Sequence, residues 1–298
     1  MRQFSGTGQT YYSGIGIDNA LMAANDLAAK GALAVTYTDE AAAGDSEWFE
    51  DEEVSRDLGQ SYYEVCKETG MALVGGESPS LKYLVKALPP VRSAPVLSGC
   101  AVGVISPIEN LITGTKLGPG SVILAVKSSG LHANGIGLVI GTAFSKFGED
   151  GLLAKMPNGK TLGEEALIPT RSYVNLVEAL QENSVPIHAF LPGTGDGVAK
   201  LAFDKRPLTY YVHTWWPEYP LIFQFMLQAA GIPLIECLKT FNMGSGYYVF
   251  VARKYVQRTI DVGIRAGYEL LEVGVVEDGQ RHTVFGPASH LILPPPGE

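Results

Sequence analysis

Apolar positions recur along this chain in two rhythms, and their alternation predicts helices interleaved with strands from end to end. Leu21, Met22, Ala24, Leu27 and Ala28 fall at helical spacing over residues 18–30, and Gly31 supplies a C-cap. Residues 32–38 alternate as a strand does, 58–69 are predicted helical, and 71–74 read as a short buried strand entering Gly75-Gly76-Glu77. Residues 96–105 are a further strand. From 106 to 120 the composition shifts to Pro, Gly, Thr and Asn, which marks a linker. Beyond it come a buried strand at 122–126, helices at 136–147 and 171–182, and a helix at 219–230 that follows Trp215-Trp216-Pro217 and stops at Gly231. A strand at 247–252 and a helix at 256–266 complete the pattern, and the proline-rich tail at 293–296 is expected to fray. The fold class is therefore α/β (α+β), in two domains, residues 1–106 and 107–298.

Composition narrows the function. With 46% hydrophobic and 18% charged residues in 298, the chain has the make-up of a folded protein with a substantial core. A net charge of −9 and no basic stripe argue against a nucleic-acid partner, yet leave a small phosphorylated ligand open, because backbone amides and a metal ion can hold one. The acidic stretch at 45–57 reads as a solvated loop and helix start. Cys66, Cys100 and Cys237 are too scattered for a disulfide framework or a zinc site and fit reduced, mostly buried thiols in the cytoplasm. No apolar stretch approaches the ~20 residues that span a bilayer, so no membrane partner is expected.

Candidate chemistry lies in small-residue loops beside strand ends. The richest is Ser128-Ser129-Gly130-Leu131-His132-Ala133-Asn134-Gly135, between the 122–126 strand and the 136–147 helix. Such a turn exposes backbone N–H groups and a positive helix end, which suits phosphate; a tight surface turn is the alternative. Gly75-Gly76-Glu77 places a carboxylate just past a strand, where it can meet a metal or a ribose hydroxyl. Thr194-Gly195-Asp196-Gly197 and Asn242-Met243-Gly244-Ser245-Gly246 are two more such loops. Asp18 and Asp26 lie about two turns apart on the first long helix, where carboxylates can hold Mg²⁺ or simply serve as a dipole partner and a surface charge. His188, His213, His282 and His290 show no ligand spacing, and neither a Gly-x-Ser-x-Gly elbow nor a Walker A lysine motif is present.

Taken in order, these segments resemble the aminoimidazole ribonucleotide synthetase (phosphoribosylformylglycinamidine cyclo-ligase) family. The resemblance runs from Gly16-Ile17-Asp18 and Asn25-Asp26-Leu27 through 72–77, 128–135 and Pro169-Thr170-Arg171-Ser172-Tyr173-Val174 to Trp216-Pro217 and Thr240-Phe241-Asn242-Met243-Gly244-Ser245-Gly246. It implies a two-domain, PurM-like fold, a homodimer built through the N-terminal domains, and ATP and Mg²⁺ as reaction partners. ATP would bind at Gly75, Gly76, Asp26 and Glu77, with Asp18, Asp26 and Glu77 as metal ligands. Ser128, Ser129, Gly130, Asn134, Gly135, Thr170, Arg171, Asn242 and Gly244 would hold the phosphorylated nucleotide substrate, and His132 would be catalytic. The reaction implied is phosphorylation of the amide oxygen of formylglycinamidine ribonucleotide, followed by ring closure and loss of phosphate. The chain also departs from the family. An upstream Asp-Gly-Val-Gly-Thr-Lys element has its counterpart in Ser5-Gly6-Thr7-Gly8-Gln9-Thr10, so Ser5 and Thr10 replace a carboxylate and a cation, and the N-terminal domain is expected to be short at its start. Ala133 replaces a serine, and Asp196 interrupts a triple glycine. A related phosphoryl-transfer enzyme with another acceptor, or a non-catalytic nucleotide-binding dimer, are the alternative readings.

Overall fold

The computed structural model describes residues 1–298 except Pro90. The first half runs α1 (Arg2–Ser5), α2 (Ile15–Ala28), β1 (Leu33–Ala42), α3 (Glu52–Thr69), β2 (Ala72–Glu77) and β3 (Val96–Val104). The second half runs β4 (Ser121–Lys127), α4 (Ile136–Phe147), α5 (Leu162–Ala166), α6 (Val174–Glu182), β5 (Ile187–Pro192), β6 (Leu208–Val212), α7 (Leu221–Gln228), α8 (Leu234–Thr240), β7 (Ser245–Ala252), α9 (Val256–Arg265), β8 (Leu270–Asp278), β9 (His282–Phe285) and β10 (Leu291–Leu293). Among the described residues the strands form two sheets, ordered β2-β1-β3 and β10-β9-β6-β8-β4-β7-β5. The expected mixed α/β class is what the chain adopts.

The larger sheet is buried on both faces, and the period-2 alternation of its central strands sorts residues between two cores. Ile123 and Ala125 of β4 and Tyr248 and Phe250 of β7 face one core, which α4, α7 and α8 close with Val139, Phe223 and Leu238. Val122, Leu124 and Val126 with Tyr247, Val249 and Val251 face the other, where α6 and α9 contribute Leu176, Leu180 and Val262. That second core continues without a break into the first half of the chain, through Ala20, Leu21, Ala24 and Ala28 of α2 and Val65 of α3. Small residues along α2 permit close approach. A Cβ on Gly16 would lie 2.4 Å from the Ser61 hydroxyl, which accepts the Gly16 N–H at 2.9 Å. The two sheets thus stand on one shared hydrophobic body, with α2 between them.

Several expectations are corrected. The helix expected from 58 begins at Glu52, because the Asp51 carboxylate caps it by accepting from the Val54 N–H and the acidic residues Glu52 and Glu53 fill its first turn. The helix expected from 171 begins at Val174, because the backbone of 171–173 is claimed by side chains from elsewhere, as described below. Strand β2, expected to be buried, is exposed along its whole length, since it is the edge of the small sheet and the described residues leave Leu73 and Val74 about half open. The tail is tied down: β10 pairs with β9, Leu293 is fully buried and Pro295 is buried. Of the cysteines, Cys66 and Cys237 are buried, whereas Cys100 is exposed. Strands β5, β6, β8 and β9, and helix α8, were not anticipated.

The small sheet leaves one face open. On β3 the residues Leu97 and Ala101 pack toward the helices, while Val96, Val102 and Val104 stand more than half exposed with Cys100 between them. Residues two apart on a strand share a face, so these form one apolar row.

The joint between the halves depends on buried polar contacts as well as apolar ones. Asn25 of α2, 5% exposed, donates from Nδ2 to the Arg171 carbonyl at 3.1 Å and accepts the Tyr173 N–H at 2.8 Å. Replacing Asn25 with Ala strands both backbone groups away from water, at a cost of about 2–4 kcal/mol. Urea unfolding is expected to register that loss; a change below about 1 kcal/mol would show that water or a shifted strap replaces Asn25.

Candidate active-site cleft

The loop at 128–135 is built around Asn242. Its side chain is 3% exposed and fully engaged: Oδ1 accepts from the Ser128 hydroxyl at 3.1 Å and the Gly244 N–H at 2.9 Å, and Nδ2 donates to the Gly130 and Leu131 carbonyls at 2.9 and 3.0 Å. Ser128 N–H also donates to the Gly244 carbonyl at 2.9 Å. The third small-residue loop joins them, because Gly193 N–H donates to the Gly246 carbonyl at 2.9 Å and a Cβ on Gly193 would lie 2.2 Å from the Ser245 carbonyl oxygen. Three loops remote in sequence therefore meet at the ends of β4, β5 and β7.

A strap of five residues, Pro169–Tyr173, locks this cluster to α2. Ser129 Oγ donates to the Pro169 carbonyl at 2.6 Å, and the Ala133 N–H donates to Thr170 Oγ1 at 3.1 Å. Thr170 in turn donates from its N–H and its hydroxyl to Asp18 Oδ1, at 2.8 and 2.5 Å. The Ser172 carbonyl accepts from the Tyr268 hydroxyl at 2.9 Å, and the Tyr173 hydroxyl donates to the Lys127 carbonyl at 3.1 Å. Tyr173 is wholly buried and stacks on Tyr247 at 4.9 Å between ring centroids. Arg171 lies with its guanidinium 4.5 Å from the Tyr268 ring centroid and donates to the Gly267 carbonyl at 2.5 Å.

His132 sits at the heart of the loop, 3% exposed, at φ 64°. Its Nε2 accepts the Ser129 N–H at 3.3 Å, which puts the ring proton of the neutral imidazole on Nδ1, an atom with no hydrogen-bond partner among the described residues. Burial, with a smaller contribution from the nearby Arg171 cation, pushes its pKa down to about 3. A ring held neutral in this way accepts one hydrogen bond and keeps one unused N–H donor. The space around it is tight: a Cβ on Gly246 would fall 2.4 Å from His132 Cε1 and 1.9 Å from the Tyr173 hydroxyl.

The residues proposed from sequence thus differ in how far the protein engages them. Asn242 and Thr170 have their side-chain polar atoms engaged within the protein, whereas Arg171 is half-buried with one hydrogen bond, His132 Nδ1 has no partner among the described residues, and Asp18 uses Oδ1 for both its bonds. Ser129 and Asn134 are exposed, and Gly135, at φ 94°, opens α4 with no side-chain cap, leaving first-turn amides available. Gly135 has no substitute, since a Cβ would lie 2.7 Å from Phe241. Gly130 and Gly244 line the same turn cluster through their carbonyls.

The acidic candidates lie on two elements, Asp18 and Asp26 on α2 and Glu77 on β2. Burial raises the Asp18 carboxyl, which its two Thr170 donors partly offset. Asp26 is an exposed residue whose carboxyl is nonetheless partly enclosed and raised, against the pull of the Lys200 and then the Lys30 cations. Glu77, with Gly75 and Gly76, stands on the exposed edge strand β2, where its register partner on β1 is Glu40. Among the described residues no group of three or more His, Cys, Asp and Glu could hold a metal ion, and Mg²⁺ bound with ATP usually takes only one or two carboxylates besides phosphate and water oxygens.

Lys200 is a cation that sequence reasoning passed over. It donates to the Thr194 carbonyl, and it feels the carboxylates of Asp26 and Asp196 while burial lowers its pKa. Its signal was the charge at Asp196, which within a cleft asks for a counter-charge nearby. Thr10, 6% exposed, takes the Asp57 carboxylate as its hydroxyl's acceptor at 2.5 Å, while the Ser5 hydroxyl lies 3.0 Å from that of Thr7. Asp39 was also missed: its Oδ1 lies 2.3 Å from where a Cβ on Gly76 would be, so Gly76 is required for close approach.

Fold and cleft define a two-lobed α/β protein with three strand-end loops gathered against one helix of the first lobe. The chain belongs to the AIR synthase-related family: the N-terminal domain of AIR synthase related proteins matches residues 4–105 and the C-terminal domain residues 118–204. It is 33% identical to a phosphoribosylformylglycinamidine cyclo-ligase of Pyrococcus horikoshii over 262 residues, covering 88% of this chain and 72% of that one. It is 34% identical to the enzyme of the same name from Thermococcus kodakarensis, over 91% of this chain and 75% of the relative. Among solved structures, the hydrogenase maturation protein HypE in complex with ATP shares the fold at a TM-score of 0.65 and 15% identity, over 94% of this chain and 78% of that one.

The depressed His132 pKa fixes a pH dependence. An unfolded histidine titrates near 6.5 and the folded one near 3, so between those values the unfolded state binds more protons. Its contribution to stability is full above about pH 6.5 and declines as pH falls. NMR is expected to show no titration of the His132 ring between pH 8 and 5; an inflection near 6.5 would mean that the ring reaches water.

Proposed function

We propose that this chain is an ATP-dependent cyclo-ligase that closes formylglycinamidine ribonucleotide to aminoimidazole ribonucleotide. The observation that carries the reading is the gathering of the 128–135, 193–197 and 242–246 loops around the uncapped start of α4. The names of its relatives at 33% and 34% identity supply the reaction.

In this reading residues 1–106 form the ATP-binding and dimerising domain, and residues 107–298 the substrate domain. The exposed Ser129 and Asn134, with the amides opening α4, take the nucleotide's phosphate ester, where the helix end adds a favourable field of about 0.3–1 kcal/mol. Asn242 and Thr170 shape that cradle, and the half-buried Arg171 guanidinium, with one hydrogen bond to the protein, supplies a further contact to the phosphorylated substrate. ATP lies against the smaller sheet, with Gly75 and Gly76 allowing close approach and the Glu77 carboxylate taking a ribose hydroxyl. Asp26 and Lys200 stand at the rim between the two ligands, where the ammonium meets phosphoryl oxygens.

Transfer of the terminal phosphoryl group of ATP to the formyl amide oxygen releases ADP. The amidine nitrogen bonded to the ribose then attacks the activated carbon, and phosphate leaves as the ring closes, with one proton passing to solvent. His132, being neutral and enclosed, holds the loop and donates no proton in these steps. Mg²⁺ accompanying ATP would be held by its phosphate oxygens with Asp18, Asp26 and Glu77 as the candidate carboxylates, and would supply charge neutralisation. Catalysis by this chain's own residues therefore rests on positioning two substrates and on the Lys200 charge.

The open row of Val96, Val102 and Val104 is the surface through which two copies pair. Nothing in the molecule is long and apolar enough to form a membrane-crossing helix among the described residues, and work in the cytoplasm suits the free thiols.

Two measurements test this. Purified protein given ATP, Mg²⁺ and formylglycinamidine ribonucleotide is expected to yield aminoimidazole ribonucleotide and ADP in equal amounts; ADP without the ring-closed product points to another acceptor and overturns the reading. Sedimentation is expected to show a dimer that Val102→Lys converts to monomer, whereas an unchanged dimer would move the interface elsewhere.

A further inference from the structure

Asp18 occupies the first turn of α2, yet its carboxylate reaches across to the other half of the chain. Oδ1 accepts both the N–H and the hydroxyl of Thr170, at 2.8 and 2.5 Å. The same hydroxyl oxygen accepts the Ala133 N–H at 3.1 Å. Thr170 is therefore a relay: its hydroxyl proton points to Asp18, which turns a lone pair toward Ala133. Ala133 lies between His132, at φ 64°, and Asn134, in the middle of the loop that ends at Gly135, φ 94°. A loop with two left-handed positions has other conformations close in energy, so a fixed acceptor for its central amide selects among them.

We propose that Asp18 is a positioning residue that, through Thr170, fixes the Ala133 amide and so holds the 128–135 loop in its ligand-binding shape. The functional part of this inference rests on the reading of that loop as the phosphate cradle. The role needs an acceptor at Oδ1 and not a charge or a metal, which separates it from the ligand role expected from sequence. It also couples the two lobes, since α2 belongs to the half that carries β2 while the loop belongs to the other.

The test compares Asp18→Ala and Thr170→Val, which break the relay at either link, with Asp18→Asn and Thr170→Ser, which keep it. Hydrogen exchange of residues 129–135 is expected to speed up about tenfold, a factor equal to 1.4 kcal/mol of opening free energy, in the first pair and to stay near wild type in the second. KM for the ribonucleotide is expected to rise about tenfold in the first pair with kcat changed less, because the lost contact orders the ground state and transition state alike. The double variant Asp18→Ala/Thr170→Val is expected to be no worse than either single one. Unchanged loop exchange in folded Thr170→Val, or additive effects in the double variant, overturns the proposal, and this holds even if Asp18→Ala fails to fold. Loss of activity in Asp18→Asn with normal loop exchange also overturns it, in favour of a charge or metal role. Should exchange respond as stated while the wild type forms no ring-closed product, the positioning role stands and the cyclo-ligase reading falls.

Discussion

The five-residue strap from Pro169 to Tyr173 is the constraint on which the rest of the molecule depends. Five of its backbone polar groups are satisfied by side chains from other elements: Ser129, Asp18, Asn25 and Tyr268 each take one or two. A buried backbone group left without a partner costs about 1–3 kcal/mol, comparable with losing a core methylene or two. The strap is therefore not a passive connection into α6. It holds the first lobe, the 128–135 loop and the larger sheet in one mutual arrangement, and the apolar core shared across α2, α6, β4 and β7 fills the space behind it.

This arrangement explains why so many polar residues in the cleft are unavailable to a ligand. Asn242 makes four hydrogen bonds within the protein, and a carboxamide has no more to give. Thr170 is used on both sides of its hydroxyl, and His132 is sealed in a space that leaves no room for a methyl group on Gly246. What remains open is mostly backbone: the first amides of α4, flanked by Ser129 and Asn134. A loop that binds through main-chain N–H groups has to be held rigid by something else, and in this chain buried side chains do that.

Much of this was legible before any coordinates. The 136–147 helix and the β4 and β7 strands follow from periodicity, because each is long or apolar enough for its pattern to dominate. Of the four small-residue loops picked out from the sequence, those at 128–135, 194–197 and 242–246 do meet, whereas Gly75-Gly76-Glu77 stands on the edge strand β2. The role of individual residues was legible only in part. Thr170 and Asn242 sit in glycine-rich loops where polar residues usually meet a ligand, and in the fold they also hold other segments together: Thr170 bonds Asp18 and Ala133, and Asn242 bonds Ser128, Gly130, Leu131 and Gly244. Strand β2 was misjudged for a related reason: Leu73 and Val74 are apolar enough for a core, but on an edge strand the described residues cover them only in part.

By itself the sequence determined which segments become helices and strands, that phosphate-suited turns lie at their ends, and which family the chain resembles. These are local properties, set by side-chain periodicity and by the backbone freedom of glycine. Only the tertiary structure decided which polar groups are consumed in holding the lobes together and which face the cleft. It also brought Lys200 toward Asp26 and set Asp18 against Thr170 of the other half of the chain. Hydrogen-bond saturation and charge pairing depend on distances between elements, and no pattern along the chain encodes those until the core has packed.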